Sequence, residues 1–315
     1  MTNGVGTCSE YTSVTADGNR AAFLRLQRTG IPFVADLEPG GTRISNDRRF
    51  PLSSTTDFPV EWTPDSKAVF VVSSRTGTTA LYRHSLDGKE VEQVAPPAPG
   101  LGDVHVTPDG KWILYLQDAH PGAPNSEREV IRVPMTGGPP ESVFVARPGS
   151  LLLTTRSADL PNVISEPTDD GKMVVSAFDP MMGRGRELLR WDFDPGKPAW
   201  NEISPDGTRL AAIRAPQGPI RIYSLRGDPP RDIQLKDWHH VGGGCWTPDG
   251  NGLYASNGIK GGYVLLHVDL EGNAKVVLTD HSGFPGTYCV PSRDGRHIAF
   301  IRSSVEGNIW MMEGF

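Results

Sequence analysis

The sequence predicts an all-β fold, a seven-bladed β-propeller of four-stranded antiparallel blades, and three observations carry this. A Ser/Thr-Pro-Asp-Gly turn followed by an apolar strand recurs along all 315 residues. Its copies are spaced about 45 residues apart with about four strand-length segments each, the spacing of propeller blades rather than of helical solenoids. Glycine (36) and proline (28) make up about a fifth of the chain. No window of about 11 residues or more shows helical apolar spacing.

The repeated turn is plainest at Thr107-Pro108-Asp109-Gly110-Lys111, ahead of Trp112-Ile113-Leu114-Tyr115-Leu116. Proline presets φ at the first corner and aspartate bonds nearby backbone N–H groups. Glycine supplies the positive φ that returns the chain to extended geometry. Taking one anchor per repeat gives Thr15, Thr63, Thr107, Ser157, Ser204, Thr247 and Ser292, and residues 1–315 read as a single propeller domain. Thr168-Asp169-Asp170-Gly171 also looks like an anchor, but its spacing is irregular. The degenerate Ser157-Ala158-Asp159-Leu160 restores the period, so Thr168–Gly171 is expected in a later hairpin of the same repeat.

Within a repeat the order is inner strand, anchor turn, second strand, third strand, tight hairpin and outer strand. The second repeat shows it best. Phe58 to Trp62 is the inner strand, Ala68–Val72 the second, Leu81–Leu86 the third, Asp87-Gly88 the hairpin and Glu90–Val94 the outer strand. The last repeat ends one strand short at Phe315, and the first seven residues are expected to supply the missing outer strand and close the ring. Six blades plus an appendage is the alternative count. Longer connections at Asn46–Asp57, Ala95–Gly102, Gln117–Arg128 and Lys236–Gly244 gather on the face opposite the anchor turns, where a rigid scaffold usually carries its binding sites.

The net charge is −6 with scattered basic residues, so neither nucleic acid nor an anionic membrane is expected as a partner. No apolar run approaches the about 18 residues of a membrane helix, and the start lacks an export signal. A cytoplasmic monomer is expected, or a periplasmic domain within a larger anchored protein. Cys8, Cys245 and Cys289 are an odd number at distant positions and read as small buried hydrophobes of inner strands.

The Ser/Thr-Pro-Asp-Gly-Lys turns at Thr107–Leu116 and Ser204–Ile213, with Leu86–Gly88, resemble the TolB-type, WD-repeat-like β-propeller repeat. Trp62–Val69, Val133–Pro140, Ala177–Pro180, Gly183–Leu188 and Asn308–Glu313 are similar to the C-terminal propeller of bacterial winged-helix regulators and serine/threonine kinases. That resemblance implies a sensing or protein-contact role and carries no catalytic residues with it.

Hydrolase elbows, kinase loops, phosphate-binding glycine loops, His-Glu-x-x-His and calcium-loop spacing are all absent from the sequence. No cofactor is expected. Aromatic residues near inner-strand entrances, Phe58, Trp200, Trp238, Phe284 and Tyr288, are candidates to line a central funnel. Arg48, Arg49, Asp57, Arg75 and Asp103 would stand around it. Such anchors suit a protein or peptide partner or a small ligand at the loop rim. His239, His240 and His281, with His105 and His120 in the third repeat, are weak metal candidates. The expected function is a non-catalytic binding or sensor propeller. The alternative is a metal-assisted lyase or hydrolase working in the funnel.

Overall fold

The anchor turns at Thr15, Thr63, Thr107, Ser204, Thr247 and Ser292 are closed by the same small set of bonds. At the third, Thr107 Oγ1 donates to Asp109 Oδ1 at 2.6 Å, and the Trp112 and Lys111 amides donate to Thr107 Oγ1 and Asp109 Oδ1 at 3.0 and 3.1 Å. The Gly110 amide donates to the Thr107 carbonyl at 2.8 Å, with Gly110 at φ 72°. The pattern repeats at Thr63, Ser204, Thr247 and Ser292. Ser66 holds the glycine position of its turn at φ 58°. Because the turn consumes its own polar groups, the strand it launches can be almost wholly apolar and buried, as in Ala68–Ser73 and Trp112–Asp118.

The structure, a computed structural model, describes residues 7–50, 57–123, 125–157, 159–193, 199–214, 218–239, 241–281 and 289–313. The chain opens with β1 (Thr7–Val14), β2 (Arg20–Leu37) and β3 (Ile44–Arg49). Blade 1 is β4 (Asp57–Trp62), β5 (Ala68–Ser73), β6 (Ala80–Ser85) and β7 (Val91–Ala95). Blade 2 is β8 (Gly102–Val106), β9 (Trp112–Asp118), β10 (Arg128–Pro134) and β11 (Glu141–Ala146). Blade 3 is β12 (Leu151–Leu153), β13 (Asn162–Pro167), β14 (Lys172–Asp179) and β15 (Gly183–Asp192). Blade 4 is β16 (Ala199–Ile203), β17 (Arg209–Arg214), β18 (Ile220–Ser224) and β19 (Arg231–Ile233). Blade 5 is β20 (Val241–Trp246), β21 (Gly252–Ile259), β22 (Gly262–Asp269) and β23 (Ala274–Asp280). The chain ends in β24 (Cys289–Pro291) and β25 (His297–Glu313).

Among the described residues the strands form six antiparallel sheets, five of four strands and one of five. The inner strands are neighbours in the closed order β4, β8, β12, β16, β20, β24 and back to β4. The all-β propeller of four-stranded antiparallel blades is therefore what the sequence folds into, and six blades plus an appendage is the count the sheets follow. Buried apolar clusters say the same, one lying at each of the six seams between neighbouring blades.

The sixth blade uses both ends of the chain: β24 and the first part of β25 from one, the second part of β2 and β3 from the other. β2 and β25 then stay paired past the blade, from Asp36 opposite His297 to Arg20 opposite Glu313, and with β1 make a three-stranded ribbon. The Thr15 turn is the hairpin between β1 and β2 of this ribbon, not a turn of the ring. Its bonds, Thr15 Oγ1 to Asp17 at 2.5 Å and the Arg20 amide to Thr15 Oγ1 at 3.1 Å, are those of any anchor. The same turn chemistry serves any antiparallel hairpin, so it marks a reversal without saying which sheet receives it. The outer strand expected from the first seven residues is instead β3, while residues 1–6 lie outside the described residues. Ser157 falls in the reversal between β12 and β13, and Thr168–Gly171 in the hairpin between β13 and β14.

Candidate functional site

In blades 1, 2, 4 and 5 the residue just before the anchor turn, Trp62, Val106, Ile203 or Trp246, points into a seam. Strand alternation then turns the residue before it toward the axis. Those axial positions hold Glu61, His105, Glu202 and Cys245 in blades 1, 2, 4 and 5. In blade 3, Thr154 and Arg156 reach the same space. Glu61, His105, Arg156 and Glu202 all lie within electrostatic reach of one another.

His105 is the centre of this group. Its Nδ1 lies 3.2 Å from Thr154 Oγ1 and 3.7 Å from Glu61 Oε2, and its Nε2 lies 3.5 Å from Asp103 Oδ1. Asp103 sits at φ 53°, where the β8 register shifts, and accepts from the Leu152 amide of blade 3. Burial works against a proton on His105, but the hydrogen bonds and charges of Asp103 and Glu61 outweigh it and push His105 up to about 10. Burial would raise Glu61, yet His105, Arg293 and Arg156 hold it below the usual carboxylate value. Glu202 has no counterweight of that size: burial, reinforced by the Glu61 and Asp103 charges, pushes it up to about 7 against the pull of His105 and Arg156. The site therefore combines a protonated imidazole, an ionised Glu61 and one carboxyl, Glu202, poised near neutrality.

The anchor end of the axis is braced by arginine. Arg156 of blade 3 donates to the carbonyls of Ser292 and Pro291 in the opposite blade, at 3.3 and 3.0 Å. Arg293 of blade 6 donates to the Val106 carbonyl of blade 2 at 3.2 Å. Arg293 Nε is buried here without a protein partner. Two guanidinium groups thus brace the axis at its anchor end.

The residues singled out from sequence fall in several places. Asp103 joins the axial group. Trp200 packs on the seam of blades 4 and 5, where a side-chain carbon added to Gly243 would lie 3.8 Å from its ring. Gly244 could carry no side chain, since its first carbon would meet the Tyr254 carbonyl oxygen at 2.0 Å. Trp238 and His239 line a cavity of about 340 Å³ with Gln234, Leu235 and Val241. Asp57 is fully buried in blade 1, where Arg75 Nη2 donates to it at 2.5 Å and stands 3.3 Å from His84 Nε2, an internal ion cluster rather than a rim. Phe58 is 42% exposed at the start of β4. Arg48 and Arg49 lie on the outer strand β3, with Arg48 held by Asp36 and Asn46, so they do not stand around a funnel.

His281 is exposed after β23, and His120 is exposed beside Glu127. His240, Phe284 and Tyr288 lie outside the described residues. Among the described residues no three His, Cys, Asp or Glu side chains are grouped to hold a metal. Glu61, Glu202, Arg156 and Arg293 were missed by motif reading. For Glu61 and Glu202 the signal was a charged residue two positions before an anchor, whereas Arg156 and Arg293 directly flank the anchors Ser157 and Ser292.

No family model matches the sequence. A protein of Agrobacterium tumefaciens assigned as TolB superposes with a TM-score of 0.67 at 18% identity, covering 88% of this chain and 99% of that one. The chain has a TolB-like fold. TolB of Acinetobacter baumannii aligns with a TM-score of 0.57 at 15% identity, over 89% of this chain and 66% of that one. An oligogalacturonate lyase of Vibrio parahaemolyticus aligns at 0.52 and 12% identity, over 92% and 76%. At such identities the likeness is one of fold, and the same fold carries both TolB and a lyase. Among the described residues no helix is long and apolar enough to cross a membrane.

Proposed function

We infer that this TolB-like propeller is a non-catalytic recognition module. It takes a protein or peptide partner, or a small ligand, at its loop face, as the C-terminal propeller of a bacterial signalling or transcriptional regulator would. The observation that carries the reading is the braced axis. Arg156 and Arg293 span its anchor end beside the charged group of Glu61, Asp103, His105 and Glu202, and on this reading the partner comes from the loop end. His105 supports recognition over metal chemistry, because a ligating imidazole must give up the proton that its two carboxylates hold in place. A peptide array probed with the intact chain tests this. A subset of peptides should bind, and Glu202→Gln or Trp200→Ala should weaken binding by about tenfold or more. An array that stays blank, or hits indifferent to both substitutions, would overturn it.

One observation favours a second reading, a metal-assisted lyase or hydrolase with its site in the funnel. Glu202 is pushed up to about 7, the value suited to a general acid or base near neutral pH. Turnover of an oligogalacturonate with added Mn²⁺, abolished in Glu202→Gln, would move the conclusion to that reading.

A further inference from the structure

The geometry points to a covalent cross-link between blades 5 and 6, a disulfide joining Cys245 to Cys289. Cys245 is the axial residue of β20, and Cys289 opens β24, the three-residue inner strand of the blade that closes the ring. Both side chains are 7% exposed and belong to the apolar cluster of that seam, with Ala35, Tyr254 and Phe300. Their sulfurs are 2.6 Å apart, with each the other's hydrogen-bond partner. Non-bonded heavy atoms of this size settle at about 3.5 Å or more, while a disulfide needs about 2.05 Å. Two strands held this way by their own blades need little movement to place the thiols at bonding distance.

The position makes the bond useful. Among the described residues β24 pairs with β25 through three residue pairs, Cys289 to Pro291 against Phe300 to Ile298. It is also the inner strand at which the C-terminal part of the chain meets the rest of the ring. A bond to β20 fixes it on its other side and closes a covalent loop that runs through all of blade 5.

The oxidant is a disulfide, either of a thiol–disulfide oxidoreductase or of a small molecule such as oxidised glutathione. The Cys245 thiolate attacks one sulfur of the oxidant, forming a mixed disulfide and releasing one thiolate. The Cys289 thiolate then attacks Cys245 Sγ, forming the cross-link and releasing the second. The two protons from the cysteines end on the two released thiols, so the protein loses two electrons and the oxidant gains them. Burial and the neighbouring thiol hold Cys245 well above the ordinary thiol value, so exchange proceeds while β24 docks rather than in the finished ring.

The test uses the full chain, refolded with oxidised and reduced glutathione at pH 8, alkylated and analysed by mass spectrometry. The expected product is about 2 Da lighter than the reduced chain before alkylation, takes up one alkyl group afterwards, on Cys8, and yields a peptide pair linking Cys245 to Cys289. Adding dithiothreitol should lower the thermal midpoint by about 3–8 °C. The double variant Cys245→Ala, Cys289→Ala should melt at one temperature with or without reductant, while Cys8→Ala keeps the reductant response. Three alkylated cysteines after refolding, a cross-link through Cys8, or a reductant response that survives in the double variant would each overturn the proposal.

Discussion

At the scale of single residues, the axial group sets the response to pH. Glu202 binds its proton more tightly in the folded chain, rising from 4.5 to about 7. The stability this contributes is full below about 4.5 and is lost as pH rises through about 7. His105, raised from 6.5 to about 10, contributes stability that is full below about 6.5 and lost as pH rises through about 10. Stability from the two therefore falls steadily from mildly acidic to alkaline pH. Glu202→Gln removes the first step, so urea midpoints at pH 5 and pH 7.5 should draw together. The variant should gain on the order of 1–2 kcal/mol at the higher pH, after allowance for partial exposure. An unchanged gap between the two midpoints would refute burial as the cause. None of this was visible as a motif: Glu61, His105 and Glu202 sit in three different repeats, and only the ring makes them neighbours.

At the scale of elements, the anchor turn is a stability device whose worth is testable. Thr107 is buried, and its hydroxyl serves Asp109, the Trp112 amide and the Trp112 carbonyl. Thr107→Val keeps the shape and removes these bonds, so denaturant unfolding should show a loss of about 1–2 kcal/mol. Lys89→Ala in the exposed hairpin of blade 1 removes a surface ion pair with Asp87 and should stay within about 0.5 kcal/mol of the parent. Equal effects at the two sites would mean that the turn hydroxyl is idle. Turns and second strands were legible because their chemistry is local. Trp62 and Trp246 were legible as strand residues only; the seam bonds from their ring N–H groups to the carbonyls of Val290 and Glu202, at 2.8 and 3.1 Å, join blade 1 to blade 6 and blade 5 to blade 4.

At the scale of the whole molecule, the sixth blade is where the two ends of the chain meet, and the ribbon beyond it belongs to no seam. Ile309, Trp310, Met311 and Met312 are 45–80% exposed there, and the Arg20–Glu313 ion pair at its far end is exposed as well. A chain trimmed to residues 30–302 should therefore keep a cooperative melt within a few degrees of the parent and self-associate less. A chain beginning at residue 50 loses the third and outer strands of the sixth blade. It should aggregate or melt without cooperativity, because the apolar faces of β25 and blade 5 are then bare. Calorimetry and size-exclusion chromatography of the two chains separate these outcomes. A trimmed chain that unfolds like the shortened one would show that the ribbon is part of the ring after all.

The repeat, the antiparallel strands and the turn chemistry were determined by the sequence alone, because hydrogen bonds within five residues and alternation along a strand are local properties. Even the degenerate turn at Ser157 could be placed by spacing. The number of blades, the use of β3 to finish the sixth, and the meeting of Glu61, His105, Arg156, Glu202 and the two cysteines were decided only by the tertiary structure. A turn reverses the chain in the same way in a ribbon as in a blade. Which sheet it joins depends on what apolar surface is left to cover once the ring has closed.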